Sequence, residues 1–124
     1  MKTTKKRIKL VIDRKRWGRR SLYNAETDKY CSLGFLAIKC GLSKKYIKDH
    51  SIPSFVELDH EKRGSKNVAK WPLKLFTKTG IDSKLCLDII QANDKMERGS
   101  EREERLISLF DKMNVELSFK GKHK

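Results

Sequence analysis

Three thiols (Cys31, Cys40, Cys86) and three imidazoles (His50, His60, His123) are the side chains of this 124-residue chain best suited to covalent chemistry or metal binding. Cys31 has the most favourable setting. It stands at the predicted start of a helix, where backbone N–H groups and the helix dipole favour thiolate, and Lys29 is close by. A cysteine nucleophile also needs a base and a group that orients the base. His123 falls in a tail and His50 in a predicted loop. His60, in LDHEK, is the base that remains, and Asn93 is the candidate third member. Nothing in the spacing puts His60 beside Cys31. The expectation is therefore a packed core cysteine and no enzymatic activity, with Cys31, His60 and Asn93 kept as the weaker catalytic reading.

Metal binding fares no better. Cys31 and Cys40 are nine positions apart. On a straight helix that is half a turn out of phase and about 13 Å of rise. Such a pair cannot share a tetrahedral zinc or close a disulfide. A site assembled through Cys86 and His60 is the remaining route. Asp59, Glu61, Asp88 and Asp94 show no paired spacing for acid–base or two-metal work. No phosphate-cradling G-x-x-x-x-G-K-[ST], dinucleotide G-x-G-x-x-G or nucleophile-elbow G-x-S-x-G occurs. No metal and no cofactor is expected.

The charge pattern is more informative. Thirty Lys+Arg stand against 16 Asp+Glu, for a net charge of +14. The excess gathers at the start, where Lys5, Lys6, Arg7, Arg14, Lys15, Arg16, Arg19 and Arg20 surround Trp17. A second basic stretch holds Lys62, Arg63 and Lys66. Clustered cations favour polyanions: nucleic acid through phosphate contacts, or an acidic protein surface. Trp17 reads first as a core anchor beside a strand; exposed, it would stack on a base. Neither stretch lies on a convincing recognition helix, which argues against sequence-specific DNA reading.

These groups must be positioned by a small core. Apolar residues make up 37% of the chain and charged residues another 37%, against averages of about 45–50% and 25%. IKLVID alternates and predicts a strand; VELSF predicts a closing one. A turn is expected near Asn24. A buried helix is predicted over Ser32–Cys40, apolar on nearly every side and stopped by Gly41. A short helix follows, capped by Ser43, with Leu42 and Ile47 at staple spacing. SIPSFVEL reads as a short strand, DHEKRGSKNVAK as a polar loop, and TKTG as a turn. Asp82 is the expected cap of a helix through LCLDIIQAN, with a strand as the alternative. Ser100 and Glu103 form an S-x-x-E capping box for a last helix, along which Leu106, Leu109, Phe110 and Met113 make one stripe. The sum is a single small α+β domain over residues 8–119, its helices packed on a sheet that includes the N- and C-terminal strands. Residues 1–7 read as a flexible basic arm and 120–124 as a disordered basic tail. No apolar run is long enough to span a membrane, no signal peptide is recognised, and three unpaired-looking cysteines fit a reducing cytosol.

Taken together, Arg16-Trp17-Gly18-Arg19, Cys31-Ser32-Leu33-Gly34-Phe35-Leu36, the W-x-x-x-L of Trp71 and Leu75, Asn93-Asp94 and the acidic last helix with its closing strand resemble a family of small bacteriophage and prophage proteins of unassigned activity. The likeness covers roughly residues 8–119. At Ser32 that family often carries a second cysteine. The resemblance implies a phage origin and the host cytoplasm as its setting. The expected function is binding: contact with nucleic acid, or with a host complex that handles it, through the basic N-terminal face. The alternative is a protein that blocks a host or anti-phage defence protein.

Overall fold

A computed structural model describes residues 7–64, 70–77, 81–95 and 99–121. Two strands, β1 (Ile8–Asp13) and β2 (Val115–Lys120), form a two-stranded parallel sheet. The register sets Leu10 opposite Leu117 and Asp13 opposite Lys120. Parallel strands need a crossover, and here residues 14–114 are the crossover. The alternation places Leu10, Ile12, Val115 and Leu117 in the core and leaves Val11 48% exposed on the other face.

Among the described residues there are five α-helices: α1 (Ser32–Lys39), α2 (Lys44–Ile47), α3 (Pro53–Lys62), α4 (Lys84–Lys95) and α5 (Gly99–Asp111). Helix α1 lies on β1, α5 on β2, and α4 bridges the two helices. The domain is therefore α+β, as the sequence predicts. Among the described residues no helix is long and apolar enough to cross a membrane.

Helix α1 is the centre of the core: Leu33, Leu36 and Ala37 are fully buried. Gly34 faces the carbonyl of Leu22 so closely that a Cβ there would lie 1.8 Å from that oxygen. The helix ends in a Schellman motif, with Leu42 N–H bonded to Ala37 O (2.9 Å) and Gly41 N–H to Ile38 O (3.1 Å). Gly41 takes φ +98°, a conformation that favours glycine. The expected wrap-round burial is incomplete, since Ile38 at the helix's far side is 39% exposed. Ser43 caps α2 as predicted, accepting from Tyr46 N–H at 3.2 Å.

Three local expectations are corrected. SIPSFVEL is not a strand but the start of α3, with Pro53 in its first turn. Proline suits that position because its missing N–H would be unpaired anyway. Pro53, Val56 and Glu57 are the buried positions, at helical spacing. Asp82 does not cap α4; it accepts from Ser54 N–H (3.1 Å) and Ser54 Oγ–H (2.6 Å), so it caps α3 from across the fold. Helix α4 is held instead by Ser83 Oγ, which accepts from Cys86 N–H at 3.2 Å. Ser100 lies inside the first turn of α5 rather than ahead of it, and Glu103 reaches Arg14. Two terminal boundaries also move. Arg7, assigned to the flexible arm, is tied to Asp111 and Glu116. Lys120 belongs to β2, and Gly121 O accepts from Arg14 Nη1. The rest of the predicted arm, with Lys5 and Lys6, lies outside the described residues, as do Lys66 and residues 122–124 of the tail.

Candidate anion-binding site

The basic residues singled out in the sequence separate into two groups once their partners are known. Arg14 makes a two-pronged contact with Glu103, Nε to Oε2 at 2.8 Å and Nη2 to Oε1 at 2.7 Å. Arg16 pairs with Asp28, whose carboxyl is held below the usual range by hydrogen bonds from Tyr23 and Arg16. Arg7 is engaged by Asp111, and Arg63, at the end of α3, lies 3.6 Å from Asp59. These four charges are answered within the protein. Their first role is to hold the fold, and a phosphate would have to compete with a carboxylate for each. Lys15 and Lys62 are exposed.

Arg19 belongs to the second group. Its Nη1 donates to the carbonyls of Asp94 (2.6 Å) and Asn93 (3.3 Å) at the end of α4. The C-terminal end of a helix favours a cation. Arg20 is tied by its backbone: its N–H donates to Asp94 Oδ1 at 2.8 Å. That carboxylate also accepts from Asn93 Nδ2 at 2.9 Å.

Asn93 is the hub of this region. Only 1% exposed, its Oδ1 accepts from Trp17 Nε1–H (2.7 Å) and from Ser32 N–H (3.0 Å), and its Nδ2 also donates to Gly18 O (3.0 Å). One side chain thus caps α1 and fastens the 17–20 segment to α4. The pairing of Asn93 with the start of α1 puts it near Cys31, as the catalytic reading requires, but its bonds to Trp17, Gly18, Ser32 and Asp94 are structural. Trp17 is likewise committed. Its N–H is used by Asn93, Phe119 packs at 4.8 Å between centroids, and the Arg102 guanidinium sits 3.6 Å over the ring. It is an anchor rather than a platform for a base.

Beside Trp17 opens a concavity of about 330 Å³, walled by Arg19, Lys29 and Arg102 with Asn24 and Thr27 on the turn opposite. Among the described residues no carboxylate lines it. Arg102, on α5, is 8% exposed, and its Nε and Nη2 have no hydrogen-bond partner. Burial first, and the neighbouring Arg19 charge second, pull its pKa down to about 10; Asp94 and Glu103 act the other way. It stays cationic at neutral pH. The sequence reading passed over Arg102 because it stands among glutamates in GSEREER, where it looks like part of a solvated face. In the sequence Lys29 stands out only as a neighbour of Cys31.

Cys31 corrects the thiolate expectation. It is 5% exposed, and burial pushes its pKa up to about 12, with the amides of Gly34 and Leu33 opposing too weakly to matter. Burial, then Asp82, also raises Cys86. The desolvation of the sulfur outweighs the helix dipole. His60 is on α3, not in a loop. Its ring stacks on Tyr46 (3.7 Å, 7°) and its Nε2 is 2.8 Å from Tyr46 O. No hydrogen bond joins it to Cys31 among the described residues. It edges a second polar cluster in which buried Glu57 accepts from Tyr46 Oη–H (2.8 Å) and Trp71 Nε1–H (2.9 Å). Cys31, His60 and Asn93 therefore do not assemble as a catalytic set. Among the described residues no three potential metal ligands converge.

Compared with protein-family models, with curated proteins and with solved structures, the chain matches none.

Proposed function

We propose that this protein binds nucleic acid without regard to sequence, gripping phosphate through the face built from Arg19, Arg20, Lys29 and Arg102, and that it carries out no reaction of its own. One observation carries the reading: three side-chain cations meet at a single concavity with no carboxylate among its described lining residues. Arg19 is held by the carbonyls of Asp94 and Asn93, so its guanidinium is ordered. Preorganised cations lose little entropy on meeting a phosphate and release counterions from the polymer. With Trp17 occupied, stacking on a base contributes nothing, and affinity rests on the backbone. The resemblance to small phage proteins supplies a setting, the cytoplasm of an infected host, where such a protein meets nucleic acid or a complex that handles it.

The test is binding to mixed-sequence DNA and RNA in low and moderate salt. The proposal expects binding that weakens steeply as salt rises. Absence of binding at the lowest salt overturns it. A second reading, blockade of a host or defence protein, is favoured by a different observation. Phe55 (57% exposed) and Ile81 (61%) stand next in sequence to Ser54 and Asp82, which are hydrogen-bonded. Exposed apolar residues held on a rigid support suit a protein partner. Capture of a host protein in a complex that survives moderate salt supports this reading.

A further inference from the structure

We propose that the open edge of β2 is a self-association surface, where a second copy of this chain adds its own β2 antiparallel and the two sheets join into one of four strands about a two-fold axis. Among the described residues β2 has no neighbour on the side away from β1. The ladder fixes which groups that edge offers. Ile8 N–H donates to Asn114 O at 3.2 Å, and Ile8 is in register with Val115. In a parallel ladder alternate residues turn both backbone groups toward the same neighbour. Glu116, Ser118 and Lys120 therefore face β1, while Val115, Leu117 and Phe119 turn their N–H and C=O outward. Such a row of groups is a template for another strand. Helix α5 does not close it. A concavity of about 440 Å³ opens between Ile107 and Ser108 of α5 and Val115, Glu116 and Leu117 of β2, and Ile107 beside it is 40% exposed.

The side chains of β2 select the occupant and its register. Outward residues must meet outward residues across an antiparallel pair. Centred on Glu116, the pairing sets that carboxylate against its own copy. Centred on Leu117, it sets Glu116 against Ser118. Centred on Ser118, it places Glu116 of each copy opposite Lys120 of the other, Ser118 opposite Ser118, and Leu117 opposite Phe119. Opposite charges across a strand pair stabilise it and like charges destabilise it, so the third register wins. Its ion pairs fall at the positions without backbone hydrogen bonds, where facing side chains are closest. Glu116, Ser118 and Lys120 are all exposed, while Val115 and Leu117 are buried toward the core. Arg7 stands 3.9 Å from Glu116, but its closer partner is Asp111. The exposed face of β2 sums to zero charge, so two copies of a +14 chain meet there with little local repulsion. The edge of β1 is less suited. Asp13, which Lys9 of a second copy would need, already accepts from Lys15 N–H at 3.1 Å.

The experiment is sedimentation equilibrium of the full chain in about 0.15 M salt, where charges more than about 8 Å apart are largely screened. The expected result is a reversible monomer–dimer equilibrium with a dissociation constant below about 1 mM. Glu116→Lys and Lys120→Glu each set like charges opposite one another at two places, and each should weaken the dimer about tenfold. The double variant restores opposite charges and should return to within about threefold of the wild type. One single reversal raises the net charge of +14 by two and the other lowers it by two, so a mere effect of net charge would weaken one dimer and strengthen the other. Val11→Lys, on the exposed face of β1, should leave the dimer close to wild type. A monomer at every concentration up to about 1 mM overturns the inference. So does a dimer that the single reversals leave intact, that the double variant fails to restore, or that Val11→Lys abolishes.

Discussion

Gly34→Ala tests the packing that carries the site. Alanine is the better helix former by about 1 kcal/mol, so a helix interior tolerant of a methyl group would gain stability. Here the added Cβ would lie 1.8 Å from Leu22 O and 2.7 Å from Leu22 C. Backbone, not a flexible side-chain tip, must move. That backbone is pinned on both sides: Leu22 N–H donates to His50 O at 2.8 Å, and Cys31 N–H to Ser21 O at 3.0 Å. Inserting a methylene into a well-packed core typically costs about 1–3 kcal/mol, and a contact this short on a fixed carbonyl belongs at or above the upper end. Subtracting the propensity gain, the expected loss is about 2 kcal/mol or more. Urea unfolding followed by tryptophan fluorescence should show a lower midpoint at unchanged slope. The consequence reaches function, because α1 and the 21–22 segment must approach closely for residues 17–20 to lie against α4. Equal or greater stability of Gly34→Ala would refute the close approach and the placement built on it.

Asn93→Leu should destabilise by about 3 kcal/mol, because it strands the donors of Trp17 and Ser32 and the acceptor of Gly18 in a site that is 1% exposed; a chemical-unfolding midpoint close to wild type would contradict the hub. Cys31 should react slowly with a thiol reagent in the native state at pH 8 and rapidly in denaturant, and fast native labelling would contradict its burial. The same thiol makes stability pH-dependent. Its folded pKa of about 12 lies above the unfolded value, so the unfolded chain loses the proton first. Stability should be unaffected below about pH 8.5 and fall by up to about 1.4 kcal/mol per pH unit from there toward pH 12, with Cys31→Ala removing part of that slope.

What was legible in the sequence was local. The alternation of Ile8, Leu10 and Ile12 and of Val115 and Leu117 marks two strands. The apolar density of α1 with Gly41 after it marks a buried helix and its stop. Ser43 and its staple mark α2. What failed depends on distant residues. Helix α3 looks like a strand until Asp82 is seen capping it from 28 positions away. Glu103 reads as half of a capping box until Arg14, 89 positions distant, is found against it. Cys31 has the sequence context of a reactive thiol, and only the packing around it shows that desolvation wins. The basic N-terminus was visible as composition. Which of its charges are spent on carboxylates and which are held by carbonyls was not, because each partner lies on another element. Arg102 carried no usable signal: a single arginine among glutamates becomes significant only when its nitrogens are seen buried and unpaired beside Trp17.

The most direct test of the proposed binding face is the salt dependence of affinity for a mixed-sequence DNA strand, measured for the wild type and for Arg19→Gln/Lys29→Gln. Each phosphate contact contributes about 0.7 to the slope of log K against log salt on a single strand. The account predicts that the double variant binds more weakly and has a slope shallower by about 1.4. An unchanged slope, or wild-type binding indifferent to salt, would contradict it.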